Sequence, residues 1–133
     1  MPYTMKQVCD QLDITYETLR FYCDEGLVPN LKRDHNNYRM FDERNLAWLQ
    51  SLLCLRRCGM SIKDMKEYMQ LCLEGRKSIN TRKEILSHQE ANLQKQIDEL
   101  QGSINYIRKK LQLYDDILAG KVKYHSNLID EDD

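Results

Sequence analysis

The sequence predicts a mainly α-helical protein in two parts: a compact head of short helices with one β-hairpin, and a single long helix built to pair with a second copy. Three observations carry this. Two short stretches with helical apolar spacing flank a tight turn within the first 26 residues. A polar, turn-rich stretch centred on Asn36-Asn37 lies between basic and strand-forming residues. Near the C-terminal end, the apolar residues fall on a heptad seam.

The elements follow in order. Thr4-Met5-Lys6-Gln7 reads as a capping box, with Thr4 as N-cap and Gln7 reaching back. Met5, Val8 and Leu12 then repeat at helical spacing. Asp13-Ile14 makes a tight turn, and Thr15 caps a second helix with Leu19, Tyr22 and Cys23 on one face. Gly26 ends it, as a residue free to adopt the left-handed conformation. Two short helices joined by such a turn form a helix-turn-helix. Leu27-Val28-Pro29 is expected to be extended, because a residue before proline avoids the helical region. Lys32 to Asn37 is polar and turn-rich, and Tyr38-Arg39-Met40-Phe41 favours a strand. Together these predict a hairpin with basic shoulders, a wing. Asp42 caps a third helix carrying Leu46, Leu49, Leu53 and Arg57, widened by Trp48 and Leu52 and stopped at Gly59. Ser61 caps a fourth, carrying Ile62, Met65, Met69 and Leu73, which Gly75 stops. The winged helix-turn-helix head thus occupies residues 1–75.

The second part spans residues 78–120, with the helix expected from Thr81 to Ala119. From Leu93 the apolar positions step alternately by four and three. Ile97, Ile104, Leu111 and Leu118 take the a positions, and Leu93, Leu100, Ile107 and Tyr114 the d positions. Leu86 continues the d row upstream, whereas Glu90 interrupts the a row. A narrow apolar seam on so long a helix exceeds what the head alone can cover, so it predicts a coiled-coil homodimer; the alternative is an intramolecular hairpin with the head's own helices. Residues 121–133 end in Asp-Glu-Asp-Asp and are expected to form an acidic, disordered tail.

Composition bounds the function. Charged residues make up 31% of the 133 residues, with only five Gly and two Pro, as suits a helical protein with much solvated surface. No apolar run reaches the ~20 residues of a membrane span, and no signal core follows Lys6, so a cytoplasmic location and no membrane partner are expected. The five cysteines are odd in number and form no CxxC, which fits reduced thiols. No Ser-His-Asp order, Gly-rich phosphate loop or paired-carboxylate site is present, so an enzyme is not expected, nor a cofactor. Net charge is −1, and residues 1–75 hold ten Lys/Arg against eleven Asp/Glu. That near-neutrality counts against nucleic-acid binding. The local cluster Lys32, Arg33 and Arg39 counts for it.

In a helix-turn-helix the first turn of the second helix enters the major groove. Here that turn offers Thr15, Tyr16, Glu17 and Thr18, with Arg20 and Tyr22 following. Hydroxyls can read either base, and a carboxylate can accept from cytosine N4. A capped surface helix with a solvated face would show the same residues.

The order of residues narrows the choice. Thr18-Leu19-Arg20-Phe21-Tyr22, Glu25-Gly26-Leu27-Val28-Pro29, Tyr38-Arg39-Met40-Phe41 and Leu55-Arg56-Arg57-Cys58-Gly59-Met60-Ser61-Ile62 together resemble the MerR family of bacterial transcription regulators. The resemblance runs from residue 3 to about residue 120. It implies a winged-helix head on an antiparallel coiled-coil dimer. It further implies a pseudo-palindromic operator in double-stranded promoter DNA, which the dimer bends and untwists so that RNA polymerase can engage. Carried onto this chain, the second-helix contacts fall on Thr15, Tyr16, Thr18, Arg20 and Tyr22. The wing contacts fall on Lys32, Arg33, Tyr38 and Arg39, with Arg56 a further phosphate candidate. The sequence departs from the family pattern at Cys23, where Glu is usual, and at Asn37, where Gly is usual. Asn tolerates the left-handed conformation, so the wing turn is expected to survive. Cys23 leaves open whether a usual intramolecular pairing is lost.

Metal-sensing members carry a Cys near the start of the long helix and two more after it. This chain has Ser78-Ile79-Asn80 at the first place and only His125 after the helix, so no metal site is expected there. About 13 residues follow the long helix, too few for the effector domain of drug-sensing members. Cys54, in Leu53-Cys54-Leu55-Arg56-Arg57, resembles the single Cys of the small aldehyde- and thiol-stress-responsive branch. Nearby cations favour a reactive thiolate. A thiol there can equally be mere packing. Two other functions remain open: a metal-responsive regulator using Cys54 and Cys58 at i, i+4 with a His from elsewhere, and a coiled-coil interaction module without DNA binding.

Overall fold

The computed structural model describes residues 2–131. The elements are α1 (Met5–Leu12), α2 (Tyr16–Asp24), β1 (Lys32–Arg33), β2 (Arg39–Met40), α3 (Glu43–Arg57), α4 (Ile62–Leu73), a 3-10 turn (Gly75–Ser78) and α5 (Ile79–Leu118). A first compact unit runs to Ala91, and a second begins at Asn92.

The caps fall where the sequence places them. Thr4 and Gln7 close a capping box on α1, and Thr15 and Ser61 cap α2 and α4. At α3, Asp42 and Asn45 form a full capping box. Asp13 turns the chain between α1 and α2 with φ of 54°. Gly59 holds φ of 85°, a conformation strained for any residue with a Cβ. Across this turn Gln89 donates to the Cys58 carbonyl at 2.6 Å, tying the first part of α5 to the α3–α4 corner.

The core of the first unit is built from Val8, Leu19, Leu27, Phe41, Leu49, Leu52, Met60 and Met65, all essentially unexposed. One element contributes to it in a way that helical periodicity does not show. Tyr3 and Phe41 exchange backbone hydrogen bonds of 2.7 and 2.8 Å. This short bridge pins the chain ahead of α1 to the end of the hairpin.

Two expectations need correction. Leu27-Val28-Pro29 does not run as an extended stretch: the chain bends at Val28 and turns at Pro29-Asn30, where Asn30 has φ of 62°. The reason lies in α3. The Trp48 indole N–H donates to the Leu27 carbonyl at 2.7 Å, and the Asn45 amide donates to the Pro29 carbonyl at 3.4 Å. With Leu27 and Val28 buried, these bonds fold the segment against α3. The long helix starts at Ile79 rather than Thr81. Buried Ser78 donates to the carbonyls of Leu71 and Gly75 and accepts from Arg82 Nε at 2.9 Å, so the 3-10 turn leads into α5 without an intervening cap.

The second unit consists of the rest of α5 and the segment after it. Ile97, Leu100, Ile104, Ile107, Leu111, Tyr114 and Leu118 are all exposed, Leu118 at 86%. Gly120, with φ of 77°, follows the end of the helix. Residues 121–131 carry no regular helix or strand. Within them Ser126 Oγ accepts from the backbone N–H groups of Leu128 and Ile129 at 3.1 Å each, and His125 meets Glu131 at 3.0 Å. Asp132 and Asp133, the end of the expected acidic tail, lie outside the described residues, as does Met1.

Candidate nucleic-acid interface

The first turn of α2 is built to be rigid and outward-facing. Thr18 N–H donates to Thr15 Oγ1 at 3.1 Å, and the Thr15 hydroxyl donates to Thr18 Oγ1 at 2.8 Å. The two hydroxyls and the Thr18 backbone N–H thus lock the turn to its cap. Thr15, Tyr16 and Arg20 are exposed, and Thr18 is half-buried. Leu19 on the opposite face is fully buried and fixes the rotation of the helix. At the far end, the Lys66 ammonium on α4 meets Glu25 at 3.3 Å.

The wing stands beside this helix. Antiparallel pairing sets Lys32 against Met40 and Arg33 against Arg39. The turn is closed by Asp34, whose carboxylate accepts from the N–H groups of Asn36 and Tyr38 at 2.9 and 3.0 Å. Asn37 takes φ of 67°, the left-handed role that Gly usually fills. The Arg33 guanidinium donates to the Asn37 carbonyl at 2.8 Å. Arg39 reaches back to α2, its Nη2 lying 2.7 Å from Asp24 Oδ1. Wing and helix are thus paired through Asp24, the residue after Cys23. Cys23 itself sits half-buried beside Arg39. Burial pushes its thiol above the usual range, more than the nearby Arg39 charge lowers it.

These contacts leave a cleft of about 280 Å³ between wing and helix, lined by Lys6, Tyr16, Arg33, Tyr38 and Arg39 among others. Lys32, adjacent to Arg33 in a strand, points to the other face. It lines a separate hollow with Glu43 and Arg44. On the opposite flank of α2, Arg56 shares a depression with Thr15, Glu17, Thr18, Phe21 and Tyr22. The structure therefore gathers Tyr16, Arg33, Tyr38 and Arg39 on one side, and Thr15, Thr18, Tyr22 and Arg56 on the other. Tyr22 is mostly core, with 4% of its surface exposed, so its ring packs and only its edge reaches this depression. Arg20 is exposed further along α2 and lies 3.6 Å from Asp24.

Lys6 and Arg44 join these hollows without a motif in the sequence to mark them. Lys6 stands in the first turn of α1, where a cation gains nothing from the helix dipole. That misplacement was the available signal. The Tyr3 hydroxyl donates to Glu43 at 2.6 Å, and this bond raises the pKa of the phenol.

Cys54 is exposed, whereas Cys9, Cys23, Cys58 and Cys72 are partly buried. Cys54 lines a hollow of about 400 Å³ with Trp48, Ser51, Tyr68, Cys72 and Leu86. Arg56, two residues on, is turned about 200° around the helix and faces α2 instead. Of the two cations that the sequence places near the thiol, Arg56 is therefore turned away, while Arg57, three residues on, shares its side of the helix. Among the described residues, no three His, Cys, Asp or Glu side chains converge as metal ligands would.

Comparison with known proteins bears on this arrangement. Residues 3–72 match the MerR HTH family regulatory protein model, and residues 46–110 match that for MerR, DNA binding. An uncharacterized HTH-type transcriptional regulator of Haemophilus influenzae is 37% identical over 124 residues, covering 92% of both chains. The HTH-type transcriptional regulator AdhR of Bacillus subtilis is 37% identical over 87 residues, 65% of this chain and 62% of that one. Among solved structures, HiNmlR, a MerR family regulator lacking the sensor domain, bound to promoter DNA, superposes with a TM-score of 0.71. It shares 36% identity over 90% of this chain and 94% of that one. A MerR family transcriptional regulator from Listeria monocytogenes superposes with a TM-score of 0.75, at 28% identity over 89% of each chain. With its wing clamped beside the reading helix, and with both family models matched in order along its length, the chain belongs to the MerR family of DNA-binding transcriptional regulators.

Proposed function

We propose that the chain works in the cytoplasm as a homodimer on a pseudo-palindromic operator in promoter DNA, and that it activates transcription by distorting that DNA for RNA polymerase. The observation that carries the reading is the combination of two features. A rigid first turn of α2 is flanked on both sides by cationic residues, and an apolar seam on α5 stands open. Helix-turn-helix dimers read two half-sites about one helical turn apart, so the seam and the reading helix belong to one function. Thr15, Tyr16, Thr18 and Arg20 face the groove in this reading. Lys32, Arg33, Tyr38 and Arg56 line the phosphates, and Arg39 holds the wing to α2 through Asp24. The hydroxyls of Thr15 and Thr18 can each donate or accept, so either can read a base edge. The seam residues Leu93, Ile97, Leu100, Ile104, Ile107, Leu111, Tyr114 and Leu118, with Leu86 upstream, join antiparallel copies. Cys54 supplies the input: it is the exposed cysteine, beside a hollow able to admit a small electrophile, and its modification would alter packing between α3 and α4.

A titration of operator DNA against salt, run beside sedimentation, tests the main reading. A dimer whose affinity falls steeply as salt rises is expected. A dimer whose affinity for the operator is negligible, or indifferent to salt, would reduce the chain to a coiled-coil module. For the input, Cys54→Ser is expected to keep basal operator binding and to lose induction by aldehydes in a transcription assay. Full induction in that variant removes Cys54 from the mechanism.

A further inference from the structure

The corner between α3 and α4 is gripped from two sides. The end of α3 closes in a left-handed turn: Gly59 N–H donates to the Arg56 carbonyl at 3.0 Å, and Met60 N–H donates to the Leu55 carbonyl at 3.2 Å. The carbonyls of Cys58 and Met60 lie beyond these bonds, and each takes a side chain. Gln89 of α5 donates to the Cys58 carbonyl at 2.6 Å. Arg56 Nη1 donates to the Met60 carbonyl at 3.2 Å. Between the two held carbonyls stands Gly59 alone, with φ of 85°.

The two grips lead to different parts of the molecule. Gln89 sits on the helix that carries the seam. Arg56 is exposed and lines the depression beside Thr15, Thr18 and Phe21 on the reading helix. A guanidinium carries five N–H donors in a fixed plane, so tying Nη1 to a carbonyl sets the direction of the others. That direction follows the Met60 carbonyl, which in turn follows the peptides around Gly59. The buried Met60 side chain fixes the far side of the turn. On the near side, the Cys58–Gly59 peptide plane is held at one edge by the Arg56 carbonyl and at the other by Gln89. Without Gln89 one edge is free, and glycine turns about its backbone bonds more readily than any other residue.

We propose that Gln89 is a positioning residue for DNA binding: by holding the Cys58 carbonyl it keeps the α3–α4 corner, and with it Arg56, aimed at a phosphate beside the reading helix. This rests on the phosphate role given to Arg56 above. The bond makes the head's grip on DNA answer to the start of α5, because a shift of that helix that withdraws Gln89 releases the corner. An uncharged side chain on α5 thereby governs an electrostatic contact at the DNA.

Operator titrations against salt with the full chain test this, with circular dichroism reporting that each variant is folded. Arg56→Ala is expected to weaken binding about ten-fold and to lower the slope of log affinity against log salt by about 0.9, as for one lost phosphate contact. Gln89→Met removes a donor but no charge, so a merely structural loss would leave the slope alone. It should weaken binding about five-fold and lower the slope by a similar amount, and the double variant should be no weaker than Arg56→Ala. Gln89→Lys keeps a donor of similar reach, at a hollow of about 250 Å³ lined by Asp64, Glu67 and Glu84, and should restore both affinity and slope. If Gln89→Met does not fold, Gln89→Asn, shorter by one methylene, is read in its place. Suppose Arg56→Ala lowers the slope. An unchanged slope in the Gln89 variant, additive losses in the double variant, or no restoration by Gln89→Lys then overturns the positioning role and leaves Arg56 on its phosphate. An unchanged slope in Arg56→Ala itself overturns both.

Discussion

The bond between Arg39 and Asp24 decides what Arg39 does. Its Nη2 lies 2.7 Å from Asp24 Oδ1, with the arginine side chain 19% exposed and the aspartate 51%. Exposed ion pairs contribute about 0.2–1 kcal/mol, and the largely covered arginine places this one near the upper end, at about 1 kcal/mol. If the pair clamps the wing against α2, breaking it from either side loosens the same element. Arg39→Ala and Asp24→Asn should then each weaken operator binding about five-fold, the equivalent of ~1 kcal/mol, and the double variant should be no weaker than either. The alternative predicts the opposite sign for one partner. If Arg39 chiefly neutralises a phosphate, Asp24→Asn frees a cation and removes an anion beside DNA, so binding tightens. Fluorescence anisotropy with a labelled operator duplex, at several salt concentrations, separates the two. Tighter binding by Asp24→Asn with a steeper salt slope would refute the clamp.

Other perturbations bear on separate parts of the molecule. Leu111→Asp places a charge in the middle of the open seam and should give a monomer by sedimentation with operator binding largely lost; a dimer would show that the seam is not the interface. Lys6→Ala should weaken binding to all duplexes alike and lower the slope of log affinity against log salt by about 0.9, as for one lost phosphate contact. An unchanged slope removes Lys6 from the interface. Asn37 sits at φ of 67°, so Asn37→Gly should be tolerated, while Asn37→Val should destabilise the head by about 1–2 kcal/mol in urea unfolding. Equal stability of the two would mean that the wing turn is not held in that conformation.

Local signals explain how much could be read in advance. Caps and stops are written in one to four adjacent residues, so Thr4, Thr15, Asp42, Ser61 and the glycines gave the helices almost to the residue. The seam was legible because its period repeats over four turns of the heptad. Bonds between distant segments were not. Nothing near Leu27 in sequence announces that Trp48 will hold its carbonyl, and so a turn was read as an extended stretch. The site divides along the same line. The α2 first turn and the hairpin follow from spacing. That Lys6 lines the cleft, that Arg56 faces α2 rather than Cys54, and that Asp24 takes the wing arginine all depend on how elements pack.

The near-neutral head, which counts against DNA binding as a sum, looks different once five of its eleven carboxylates are located. Asp24 is held by Arg39, Glu25 by Lys66 and Glu43 by the Tyr3 hydroxyl. Asp34 accepts two backbone N–H groups in the wing turn, and Asp42 caps α3. Each of these acids faces a donor supplied by the fold itself. The cations around α2 are arranged otherwise: Lys6 and Arg33 open onto the cleft beside Tyr16, and Arg56 onto the depression beside Thr18. Charges close to the reading helix weigh more than distant ones, because screening confines each field to about a Debye length, so these cations act there with Glu17, which borders the same depression as Arg56. The salt slope of operator binding should accordingly count the cations that line α2 and the wing, and not the balance of the whole chain.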